Sequence, residues 1–175
     1  MYSNFLQDLK YFTDSPKCNT LLSKIHRVLD NPGMKMVLLN RIINETPSWC
    51  LPVKFFLEKY YKKLIIKYGI DLPLKLDFGY NLRIFHHGGI VINPNSKIGN
   101  NVIIMHGVTL GNNMASSSSP ILGDNVFVGV GAKIIGGVYV AKSVKIGANA
   151  VVVKNCYQKH ATLVGIPAKE LTTVK

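Results

Sequence analysis

The sequence predicts a mainly β protein, a parallel β-helix of hexapeptide repeats behind a short N-terminal helical region. Three observations predict it. Aliphatic residues recur every six positions from Ile92 to Val152. Gly and Asn crowd the positions between them. The first seventy or so residues follow the three-to-four spacing of amphipathic helices instead.

The helical region spans residues 1–70. LLSKIHRVL, MKMVLLNRII and PVKFFLEKYYKKLIIKYG carry its pattern. Asn31-Pro32-Gly33 and the stretch from Pro47 to Pro52 interrupt it. Asp30 is the expected cap of the second helix, with Pro32 in the first turn. Lys54, Lys59, Lys62, Lys63 and Lys67 read as a solvated helix face in preference to a membrane-surface patch.

The β-helix occupies residues 71–171, with a tail at 172–175. Written in sixes from Ile92, the chain reads INPNSK, IGNNVI, IMHGVT, LGNNMA, SSSSPI, LGDNVF, VGVGAK, IIGGVY, VAKSVK, IGANAV, VVKNCY. Every first position is Ile, Leu or Val except Ser116, and the fifth is mostly small or branched. Neither a helix nor a hairpin strand has this period; an internal repeat does. Three short strands and three bends close one triangular coil of about eighteen residues. First-position side chains then point inward and stack, while Gly and Asn take bends that need positive φ. Met114 to Pro120 breaks the repeat and reads as a loop leaving a corner, a candidate lid over a groove.

Composition narrows the function. At 175 residues the chain suits one domain with a small appendage. Twenty-one Lys and Arg against nine Asp and Glu give a formal charge of +12, which favours an anionic partner. No stacking motif accompanies the charge, so nucleic acid is not expected. Cys18, Cys50 and Cys156 form no CxxC pair, which fits a reducing compartment. No leader-like apolar segment opens the sequence and no run approaches the ~18 residues of a membrane span. The expected location is cytoplasmic.

The chemistry centres on His86-His87-Gly88-Gly89. In strict phase His86 takes a first position and points into the apolar prism, where an unpaired imidazole is costly. Either the coil is irregular there or His86 is a buried structural histidine. Asp71, fifteen residues upstream, is a candidate to accept the Nδ1 hydrogen and leave Nε2 as a base.

Residues 70–171 resemble serine O-acetyltransferases and the related enzymes that acetylate capsule and lipopolysaccharide sugars. The resemblance rests on GIDLP at 69–73, HHGGIVI at 86–92, IGNNVIIMHGVTLG at 98–111, VGVGAKIIGGVYV at 128–140, KIGANAVV at 145–152 and VGIPAK at 164–169. It implies a left-handed coil and a homotrimer. It implies His86 as general base, Asp71 as its partner, and acetyl-CoA as co-substrate with no metal. It implies a CoA groove at Gly111, Val130, Gly131 and Ala148, with Lys133, Lys145 and Lys169 available to the CoA phosphates.

The sequence departs from serine acetyltransferases at the acceptor. They carry Asp before the catalytic His, where this chain has Phe85. They carry Arg-His before the loop Pro, where this chain has Ser118 and Ser119. A zwitterion needs charged partners and a sugar hydroxyl does not. The expected acceptor is therefore a hydroxyl of a capsule or lipopolysaccharide sugar or its precursor, with L-serine as the alternative. Two other classes remain. A metal-dependent hydratase would use His86 and His106 as ligands, but lacks a third histidine at matching separation. A trimeric scaffold would leave acetyl-CoA unbound.

Overall fold

The computed structural model describes residues 2–13, 20–113 and 117–171. Residues 172–175, Cys18 and Met114 to Ser116 lie outside them. Among the described residues four helices precede a parallel β-solenoid: α1 (Tyr2–Thr13), α2 (Leu21–Asp30), α3 (Pro32–Glu45) and, after a 3-10 turn at Ser48–Cys50, α4 (Leu51–Tyr68). The cap of α3 is Asn31, not Asp30. Its side chain accepts from the Met34 N–H at 2.9 Å, and Pro32 occupies the first turn. Asp30 instead closes α2 and pairs with His26 one turn back. Gly69, left-handed at φ 62°, ends α4 and turns the chain into the first coil.

The solenoid has three faces. The first holds β1 (Ile70–Asp71), β4 (Ile90–Ile92), β7 (Thr109–Gly111), β10 (Lys133–Ile135) and β13 (Val151–Val152). The second holds β2 (Asp77–Phe78), β5 (Lys97–Ile98), β8 (Ile121–Leu122) and β11 (Tyr139–Val140). The third holds β3 (Arg83–Phe85), β6 (Ile103–Met105), β9 (Phe127–Val128), β12 (Lys145–Ile146) and β14 (Thr162–Val164). β15 (Lys169–Glu170) folds back antiparallel on β14. Every other pairing is parallel, one coil to the next, so each coil satisfies the backbone groups of its neighbours.

The six-residue pattern explains the core. First positions Ile92, Ile98, Ile104, Leu110, Leu122, Val128, Ile134, Val140, Ile146 and Val152 are all buried. So are the fifth positions Val102, Val108, Val126, Ala132, Val138, Val144, Ala150 and Cys156. Asn81, Asn101 and Asn125 take one line of bends with φ near +60°, where Asn is tolerated best after Gly.

Upstream of Ile92 the strict phase fails at one corner, and past Val152 it lapses again, where partners are 16 and 17 apart. Paired residues are 18 apart between β4 and β7, but 20 apart between β1 and β4 and between β3 and β6. Two extra residues therefore sit between Ile84 and Ile90. Below that corner the inward positions are Leu72, Phe78 and Ile84, with Ile70, Leu76 and Leu82 as their fifth-position partners, all buried. Ile84, not His86, fills the first position. Strand partners are 24 apart where the Met114 to Pro120 excursion intervenes.

The helices brace the first coils. Gly33 of α3 abuts Ile84; a Cβ there would overlap the Ile84 carbonyl oxygen and approach its Cβ to 2.8 Å. Asp8 of α1 is fully buried. It accepts from the Asn81 N–H and from Arg41 Nε at 3.1 Å. Arg41 also donates to the Phe78 and Gly79 carbonyls and lies 3.7 Å from the Phe78 ring centroid. Tyr61 of α4 donates to the Leu72 carbonyl at 2.7 Å. Burial pushes its phenol above the ordinary range. Lys59, Lys62, Lys63 and Lys67 are exposed, as read from the sequence, while Lys54 is half-buried.

Candidate active site

The site is built at the edge where the third face turns into the first. The two-residue insertion bulges this edge in the second coil. His86 follows β3 with φ 60°, a conformation uncommon for a residue with a Cβ, and its side chain is exposed. The bulge resolves the phase conflict: the histidine leaves the prism because Ile84 occupies the inward slot.

Strand register then aligns a column of residues along this edge. β3 on β6 sets Phe85 opposite Met105, which puts His86 beneath His106. Continuing through β9 and β12, the column passes Val130 and Ala148. The backbone ties it coil to coil: Gly107 N–H donates to the Gly88 carbonyl, Gly131 N–H to the His106 carbonyl, and Asn149 N–H to the Val130 carbonyl. Gly107 and Gly131 keep φ near +70° here, and their Cα atoms pack where a Cβ on Gly107 would come within 3.3 Å.

The His86 and His106 rings meet edge to face, with centroids 5.8 Å apart and planes at 89°. His106 is half-buried, and its Nδ1 is enclosed with no hydrogen-bond partner. His87 points elsewhere, edge to face with Tyr68 at 5.8 Å.

The other expected residues flank this edge unevenly. Lys133 lies on the first face beside the column. Its Nζ donates to the Gly107 carbonyl at 2.5 Å and to Thr109 Oγ1 at 3.1 Å, so its ammonium already clamps the corner. Gly111 lies at the end of β7, paired to Ile135. Lys145 is exposed on β12 of the third face, and Lys169 is exposed on β15. Asp71 is exposed on β1, its backbone opposite Val91. Among the described residues no hydrogen bond or ion pair joins Asp71 to His86. The bond expected from their spacing is not formed in this structure.

The described part of the Ser loop, residues 117–120, leads into β8 at the corner between the first and second faces, away from this edge. Ser119 is buried there and donates to Asn93 Oδ1 at 3.0 Å. Among the described residues no group of three or more His, Cys, Asp or Glu side chains stands together as a metal cage. No described helix is long and apolar enough to cross a membrane.

Sequence reasoning weighed His106 only as a metal ligand. The signal for its place was present: IFHHGGIV and IMHGVT differ by two inserted residues, and removing them superposes His86 on His106.

No family model matches the chain. A serine acetyltransferase of Haemophilus influenzae is 37% identical over 109 residues, covering 61% of this chain and 40% of that protein. A serine acetyltransferase of Helicobacter pylori is 42% identical over 106 residues, covering 59% of this chain and 61% of that protein. The chain thus spans less than two thirds of these relatives. A solved serine acetyltransferase in complex with cysteine superposes with a TM-score of 0.76 at 28% identity, covering 97% of this chain and 69% of that one. The chain resembles the serine acetyltransferases in both sequence and fold. The enzyme of Neisseria gonorrhoeae in complex with serine gives a TM-score of 0.74 at 29% identity, covering 96% of this chain and 68% of that one. A serine acetyltransferase in complex with CoA gives 0.76 at 27% identity, covering 97% and 68%. These relatives are serine acetyltransferases and not glycan acetyltransferases. The capsule or lipopolysaccharide acceptor inferred from Phe85, Ser118 and Ser119 is therefore not the one the comparisons favour.

Proposed function

We propose that this chain is an acetyl-CoA-dependent O-acetyltransferase whose acceptor is L-serine. The observation that carries it is His86, lifted out of the prism by the corner insertion. The column beside it continues with Val130 and Ala148. The likeness to serine acetyltransferases, one bound to serine and one to CoA, supports the substrates.

In the proposed reaction His86 takes the proton of the acceptor hydroxyl as its oxygen attacks the thioester carbonyl carbon. The carbonyl π electrons move to oxygen, where backbone N–H groups stabilise the charge. The C–S bond then breaks, and the imidazolium returns the proton to the departing thiolate. The acetyl group ends on the acceptor oxygen with no acyl-enzyme. Asp71 is the proposed partner of His86 in the substrate complex, where catalytic hydrogen bonds tighten relative to the free protein.

Acetyl-CoA is proposed to lie along the column, against Gly111, Val130, Gly131 and Ala148, with Lys145 and Lys169 toward its phosphates. Lys133 holds the corner and adds positive charge. The groove is completed by a second copy in a homotrimer, whose Ser loop covers this edge. Exposed Phe85, Val91, Ile121, Phe127 and Tyr139 on the faces support such self-association.

A second reading is favoured by one observation. Phe85 is 44% exposed immediately before His86 and Ser119 is engaged with Asn93, so neither offers a charge to an amino acid. A sugar hydroxyl needs none. Thiol release from acetyl-CoA, measured with L-serine and with a panel of sugars and nucleotide sugars, decides between them. Serine-dependent release abolished in His86→Ala is the expected result. Release only with a sugar would replace the acceptor. Acceptor-dependent release that survives the substitution would remove His86 from the chemistry.

A further inference from the structure

Two imidazoles meet at the bulged corner, and the proposed reaction employs one. His106 sits one coil above His86, edge to face with it, and its backbone is held from several sides. Its carbonyl accepts from Gly131, Met105 before it lies in β6, and Lys133 clamps the Gly107 carbonyl after it. Its Nδ1 is enclosed without a partner. A buried N–H with no acceptor is costly, so the favoured tautomer carries its proton on Nε2. Among the described residues that Nε2–H has no acceptor. The column above continues with Val130 and Ala148, whose side chains have none to offer. A donor is thus left unmatched on the ring that meets the proposed base.

Two positions weighed for the acceptor, Phe85 and Ser119, do not supply such a donor. Phe85 is apolar and the Ser119 hydroxyl is committed to Asn93. We propose that His106 is a specificity-determining residue: its Nε2–H hydrogen-bonds an acceptor oxygen one or two carbons from the hydroxyl that His86 deprotonates. That oxygen belongs to the carboxylate in L-serine and to a neighbouring hydroxyl in a sugar; the shared chemistry is a hydrogen-bond acceptor close to the reacting alcohol. The assignment rests on the acetyl-transfer reading.

The test compares His106→Leu, which removes the donor, with His106→Gln, which keeps a side-chain N–H. With the acceptor that the wild type turns over, His106→Leu is expected to raise the acceptor KM about tenfold, the worth of one hydrogen bond, and to leave the acetyl-CoA KM in place. His106→Gln is expected to restore most of the loss. A leucine variant that moves neither KM, or both in parallel, overturns the assignment. A measurement free of turnover accompanies it. Ring C–H signals of the 175-residue chain are followed by NMR with L-serine, neutral hexoses or CoA added singly, His106 being identified by its absence in His106→Gln. Serine or a hexose should shift the His106 signals, and which of them does so names the source of the oxygen. Shifts with CoA alone, or none, overturn the assignment. Acceptor-dependent release that survives His86→Ala while His106 still senses the acceptor would sink the role of His86 and leave that of His106 standing.

Discussion

Gly33 lies directly against Ile84, helix backbone on strand, with no room for a Cβ between them. This contact sets α3 on the strand that leads into His86. Gly33→Ala ordinarily gains about 1 kcal/mol inside a helix. Here the added methyl meets a carbonyl oxygen that the coil cannot move, and overpacking costs about 1–3 kcal/mol. The expected outcome is a lower Tm, by a few degrees for a chain of this size. A thermal melt showing a raised Tm would mean that α3 can slide away from β3.

Deleting His87 and Gly88 should regularise the corner. The remaining sequence, Ile-Phe-His-Gly-Ile-Val, matches Ile-Met-His-Gly-Val-Thr one coil above. Ile84 and Ile90 keep their inward places, so the coil is expected to fold with a Tm within a few degrees of wild type. Acceptor-dependent thiol release should be lost, because the bulge and not the repeat aims His86. Circular dichroism melts and the thiol assay on the same preparation separate the two effects. An active deletion variant would show that an ordinary corner presents His86 equally well.

Asp8 gives a pH dependence whose sign follows from its burial. Burial raises its carboxyl above the ordinary value and outweighs the lowering by the Asn81 N–H and Arg41. The folded chain then holds this proton more tightly than the unfolded chain. Between the ordinary value and the raised one, folding is favoured as pH falls and weakened as pH rises through the folded value. Asp8→Asn does not titrate. The stability of wild type relative to this variant should therefore increase as pH is lowered through that window, and level off below the ordinary carboxylate value. Urea midpoints of both proteins from about pH 3.5 to 6.5 test it; a difference that shrinks on acidification would show that Arg41 dominates.

Much of this protein is legible in its amino acids. The aliphatics from Ile92 to Val152 are buried where a period of six puts them, because burial repeats with the coil and each coil contacts only its neighbours. Asn101 and Asn125 occupy bends with positive φ for the same local reason. The cap of α3 was misplaced by one residue: Asp30 and Asn31 are both good caps, and the choice depends on which carbonyl the turn aims at Met34.

The solenoid, its inward residues and the histidine-bearing corner can be read from the amino acids alone, since these follow from side-chain period and bend chemistry. The tertiary structure decided what the corner presents. Two added residues are a small perturbation in a periodic string, yet they shift the phase by a third of a repeat, so that counting in sixes back from Ile92 lands on His86 where the fold has Ile84, and they bulge the corner on which His86 is exposed. Coil-on-coil register, which joins residues twenty apart, then sets His106 against His86. Stacking of that kind depends on the length of every bend between the two coils, and so it emerges only once the chain has closed a full turn on itself.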